Sequence, residues 1–148
     1  MSIKQTLEHY DLFDNAILRH GFTEYNRDYV IVADLYYADE PGQYHFLFRG
    51  CVEAHYESTM TRDAFSMDDV WIDEEAWQDL DVIDKHVWGV RYVDDYPGWT
   101  LIEDSERAQS WKDRLDHDMH ELLIETYVFN LRLIFHDLRV TRVGDIAP

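Results

Sequence analysis

Basic residues are scarce in this chain: 13 Lys and Arg stand against 31 Asp and Glu, a formal net charge of −18. A surface of that sign repels phosphate where counterion release would otherwise drive binding, so a nucleic-acid partner is disfavoured. Cysteine is nearly missing. Cys51 alone cannot close an internal disulfide, and the fold is expected to stand without an oxidising compartment. Long apolar runs are lacking as well. No stretch approaches the roughly 20 residues of a membrane span, and MSIKQTLEHYD at the start carries no apolar run of signal-peptide length. A cytoplasmic location with no membrane partner is the expectation. With 6 glycines and 3 prolines there is no linker rich in Pro, Gly or Ser, so residues 1–148 read as one domain.

Signature motifs are absent too. The chain has no GxxxxGK[ST], GxGxxG, GxSxG, HExxH or CxxC, and its acidic run SMDDVWIDEE lacks the glycine and ligand spacing of an EF-hand loop. No cofactor is expected, and nothing cheap argues for an enzyme. What remains is apolar and aromatic. Hydrophobic residues make up 46% and aromatics 15%, enough to build a core despite the charge.

The strongest pattern lies near the end, in LLIETYVFNLRLIFHDLRVTRV from Leu122 to Val143. Phe129, Leu131, Leu133 and Phe135 alternate with Asn130, Arg132 and His136, the period-2 signature of a strand with one dry face. At His136-Asp137 the phase flips to Leu138 and Val140, which predicts a bulge or hairpin there. At the other end, Ile3, Leu7, Tyr10, Phe13 and Ile17 recur at spacings of three and four. That spacing predicts one amphipathic helix over residues 2–19, with Ser2 as N-cap and Gly21 as its stop.

Tyr29–Tyr37 is β-branched and aromatic and reads as a strand. A turn at Asp39-Glu40-Pro41-Gly42 joins it to a long antiparallel strand from Gln43 to about Ser58, bent at Gly50. A short helix over 73–80 and a strand over 86–93 follow. Tyr96-Pro97-Gly98-Trp99 reads as a second turn before a strand at Thr100–Ile102. A second helix spans Ser105–Leu115, and the sheet resumes at Glu121. The expected fold is α+β: a mainly antiparallel twisted sheet, the N-terminal helix laid across a face, and a second helix before the C-terminal strands.

Several segments together resemble the YxiG-like family of small bacterial proteins. They are HGFTEYNRDY at 20–29, FLFRGCVEAHY at 46–56, SMDDVWID at 66–73, VWGVRYVDDYPGW at 87–99 and IETYVFNLRLIFHDLRV at 124–140. The resemblance covers nearly the full length and implies a single bacterial domain. It carries over no catalytic residue. Some members of the family sit in neighbourhoods shared with polymorphic toxins and their immunity proteins, which implies a partner-binding role.

Three constellations invite a functional reading. The first is the stretch 63–104, where 13 carboxylates face only Lys85 and Arg91, with Trp71, Trp77, Trp88 and Trp99 interleaved. Asp68, Asp69, Trp71, Asp73, Trp77 and Trp99 are the expected partner-binding residues, since aromatic anchors and acids suit a basic protein. The bland reading is that the tryptophans cover the core while the acids solvate it. The second is His117 and His120 within DHDMHE. Three apart on a helix they would share a face and form a candidate metal pair, although histidines near a helix C-terminus also favour its dipole. The third is the polar side of the long strand: His45, Arg49, Cys51, Glu53 and His55. A Cys–His pair in a cleft is nucleophilic; a half-buried thiol beside a salt-bridged row is the ordinary alternative. The expectation is a non-enzymatic binding module, of immunity type, for a cationic protein. The alternative is a small-ligand or metal-dependent enzyme built on those His, Cys and carboxylate groups. An exposed edge strand also leaves room for a homodimer.

Overall fold

Alternation in the sequence becomes alternation in burial. In β3 (Gly42–Arg49), Tyr44, Phe46 and Phe48 point into the core while Gln43, His45 and Leu47 stay half-buried outside. The structure, a computed structural model, describes residues 1–60, 62 and 93–146. In chain order the elements are α1 (Ile3–His9), β1 (Ala16–Phe22), β2 (Tyr29–Leu35), β3, β4 (Glu53–Ser58), β5 (Val93–Asp94) and β6 (Gly98–Ile102). They continue with α2 (Glu106–Leu115), β7 (His120–Glu125), β8 (Phe129–Phe135) and β9 (Asp137–Gly144). The mainly antiparallel sheet, with two helices named among the described residues, agrees with an α+β fold.

The expected single sheet is two. Among the described residues one has the order β5-β1-β2-β3-β9, the other β4-β8-β7-β6, and every pairing is antiparallel. Ile31, Leu35, Phe46 and Phe48 of the first sheet meet Leu122, Ile124, Leu131, Leu133 and Phe135 of the second in one core. Packing of this kind needs strands that turn from one sheet into the other. Two do so side by side. The long strand expected over 43–58 breaks at Gly50, whose φ is +58°, and leaves the first sheet as β3 to enter the second as β4. The phase flip at His136 is the matching corner. β8 pairs with β4 and β9 pairs with β3, so the flip is a change of sheet, not a bulge or hairpin. The His136 backbone N–H donates to the Arg49 carbonyl at 2.9 Å and ties the corners together. A Cβ on Gly50 would sit 3.2 Å from that of His136.

The N-terminal helix is shorter than its spacing predicts. It ends at His9, capped by Ser2 through a capping box with Gln5. Asp11 and Asp14 then adopt positive φ, 50° and 57°, a conformation that Asp tolerates better than most residues and that ends a helix. Ile17 and Gly21, assigned to the helix and its stop, lie in β1 instead. Ile3, Leu7 and Tyr10 still pack against the core, half-buried. The second helix forms as expected, with the Ser105 hydroxyl accepting from the Ala108 N–H. The short helix over 73–80 and all of the strand over 86–93 except Val93 lie outside the described residues.

Candidate functional site

α2 sits on the outer face of the second sheet, and two carboxylates hold it there. Glu53 of β4 accepts from Arg107 Nε at 2.9 Å and from the Trp111 indole N–H at 2.6 Å. Glu121 of β7, buried, accepts from the Ser105 hydroxyl at 2.6 Å and from Arg132 at 2.9 Å. Beneath the helix, Ala108 and Met119 pack on Ile134, with Val52 and Trp111 beside them. Glu53 is held below the usual carboxylate range, chiefly by its Arg107 hydrogen bond. These contacts leave an open cleft of about 900 Å³ between α2, the end of β6 and the start of β7. Glu103, Asp104, Glu106, Asp113, Asp118 and Glu121 line it, with Lys112 and His120 the basic side chains doing so among the described residues. Lys112 is itself committed to Asp118 at 3.1 Å.

The polar row expected along the long strand is not one row. Gly50 divides it between two sheets: His45 and Arg49 lie in β3, Glu53 and His55 in β4, and Cys51 in the bend. Arg49 pairs with Asp137 at 3.4 Å. The buried Cys51 donates its thiol hydrogen to the Glu53 carbonyl at 3.2 Å. Burial pushes that thiol up to about 12, so at neutral pH it stays protonated and is a poor nucleophile. The expected carboxylate partner, Glu53, faces α2.

His117 and His120 do not share a helix face, because α2 stops at Leu115 and Asp116 takes a left-handed conformation, φ 56°. His120 begins β7 beside Phe135, and His117 lies against His136. Among the described residues no three His, Cys, Asp or Glu side chains form a metal-holding group.

Of the expected partner-binding residues, Asp68, Asp69, Trp71, Asp73 and Trp77 lie outside the described residues. Trp99 is described, and its ring covers core: it packs on Phe46 with ring centres 4.8 Å apart and donates its indole N–H to Asp95 at 2.8 Å. That bond belongs to a polar knot which the sequence reading missed. Asp95, 0% exposed, also accepts from the Asn15 N–H at 2.6 Å, while the Asn15 side chain accepts from the Tyr36 N–H and donates to the Asp11 carbonyl. Burial pushes the Asp95 carboxyl up to about 7. A second missed pair is His20 with the Tyr29 hydroxyl, 2.6 Å apart, flanked by Tyr56 and Phe129. Burial lowers the imidazole and raises the phenol to about 12, so both stay neutral near pH 7.

The sequence profile described as YxiG-like protein matches residues 1–147. The chain belongs to the YxiG-like family. No curated protein matches this YxiG-like chain. Among solved structures it is similar to an uncharacterized protein from Neisseria gonorrhoeae, at 6% identity and a TM-score of 0.41, over 88% of this chain and 93% of that one. Among the described residues no helix is long and apolar enough to cross a membrane.

Proposed function

We propose that this YxiG-like protein is a non-enzymatic binding module that engages a basic protein, in an immunity-type role. The supporting observation is the cleft beside α2, lined by six carboxylates: Glu103, Asp118 and Glu121 pair with Lys4, Lys112 and Arg132, and Asp104, Glu106 and Asp113 are left outside any ion pair among the described residues. Carboxylates arranged this way attract a cationic segment and set its approach rather than transform it. The acidic, aromatic stretch 63–104, with Asp68, Asp69, Trp71, Asp73, Trp77 and Trp99, belongs to the same reading through its composition. The alternative, a His, Cys and carboxylate pocket doing chemistry, has less behind it: the thiol is protonated and its expected neighbours are divided between sheets.

Affinity capture from the source cell's lysate tests the reading. The expected outcome is a basic protein retained at about 0.05 M salt and released at about 0.5 M, as screened charges let go. It should be lost in the double variant Glu106→Lys, Asp113→Lys at either salt. Retention that ignores both salt and charge reversal would sink the proposal.

A further inference from the structure

His117 and His136 are distant in sequence and adjacent in space, where the end of α2 meets the β8–β9 corner. Their ring centres lie 5.4 Å apart with planes at 84°. Each ring is anchored through Nδ1 to a backbone carbonyl, His117 to that of Leu115 at 2.9 Å and His136 to that of Asp118 at 2.7 Å. A carbonyl oxygen only accepts, so Nδ1 carries the hydrogen in both rings. A neutral imidazole then has its lone pair on Nε2. One nitrogen fixed by a carbonyl and the other left as a lone-pair donor is the arrangement by which histidines bind transition metals. Two imidazoles bound through Nε2 to one tetrahedral ion have ring centres roughly 5 Å apart, given metal–nitrogen distances of about 2.0–2.1 Å. The observed spacing agrees.

The two rings are held in advance of any ion. Asp116, left-handed, closes α2 with its N–H on the Lys112 carbonyl, and the Lys112 ammonium fixes Asp118. His136 is bound to Arg49 through the backbone and abuts Gly50. Both side chains are exposed, so an ion has access. Two carboxylates beside them in sequence are already engaged: Asp118 by Lys112, and Asp137 by Arg49 and Arg139.

We propose that His117 and His136 form a two-histidine site for a divalent transition metal of the zinc and copper class. Imidazole nitrogen selects these ions over magnesium and calcium, which prefer oxygen. The strongly negative surface raises the local concentration of any cation. His117 thus takes its partner from across the fold and not from His120, whose ring lies half-buried 5.8 Å from that of Phe135.

Calorimetric titration of the untagged protein with ZnCl2, and electron paramagnetic resonance of the Cu2+-loaded protein, test the site. One ion per chain is expected, with two imidazole nitrogens in the copper spectrum. His117→Ala or His136→Ala should each weaken Zn2+ binding by at least about tenfold and leave one nitrogen in the spectrum, while His120→Ala changes neither. His117→Gln and His136→Gln repeat the test with bulkier replacements, and circular dichroism checks the folding of every variant. The proposal is overturned if neither ion binds, if binding survives both substitutions, or if His120→Ala weakens it as much.

Discussion

Asp95 shows what one buried carboxylate does to this molecule. Both its oxygens accept N–H bonds, from Asn15 and from Trp99, and these donors favour the charged form. Burial outweighs them and raises the group from 3.8 to about 7. Between those values the folded state holds a proton that the unfolded state has released, so stability falls as pH rises through the window, by at most a few kcal/mol. Asp95→Asn removes the titration but turns an amide NH2 toward an N–H donor, at a cost of about 1–3 kcal/mol. Urea denaturation should find the variant less stable than the wild type at pH 5, with the gap narrowing by pH 8. A gap independent of pH would show that Asp95 ionises as an ordinary surface carboxylate.

At the scale of elements, α2 depends on Glu53. Glu53→Ala strands the Trp111 indole N–H against the sheet and is expected to destabilise by about 1–3 kcal/mol, whereas Arg107→Ala removes a largely exposed pair and changes little. Chemical denaturation of the two variants checks the ranking; equal losses would mean that the ion pair, not the indole bond, seats the helix. Much at this scale was legible in the residues. β3, β8 and α2 follow from alternation and capping, because each shows one face to one environment, while β2, buried along nearly its whole length, follows from its β-branched and aromatic content. The N-terminal helix was overextended because Ile17 falls at helical spacing by coincidence, while Asp11 and Asp14, able to take positive φ, were the available sign of its end. Gly50 and the phase flip at His136 were both visible as irregularities. That they are one double corner depends on register between distant strands, which no local pattern carries. For the candidate site the limit was similar. His117 was singled out, but its spatial neighbour His136 was assigned to a turn, and Asp95 was indistinguishable from the acids around it until its burial was known.

For the whole molecule, charge is the dominant imbalance. With a net charge of −18, folding brings like charges together, and added salt screens that repulsion. Salt also weakens exposed pairs such as Lys4–Glu103, but such pairs contribute little. Thermal denaturation is therefore expected to give a Tm that rises as NaCl goes from about 0.02 to 0.5 M. A Tm that stays flat or falls would mean that the negative groups are too dispersed to repel.

The double corner at Gly50 and His136 also governs how the molecule comes apart. Because β3 runs on into β4 and β8 into β9, each layer of the sandwich owns half of two shared ribbons. Neither layer can fray or peel away without dragging the other's hydrogen bonds with it, so the slowest-exchanging amides of both layers open in a single event.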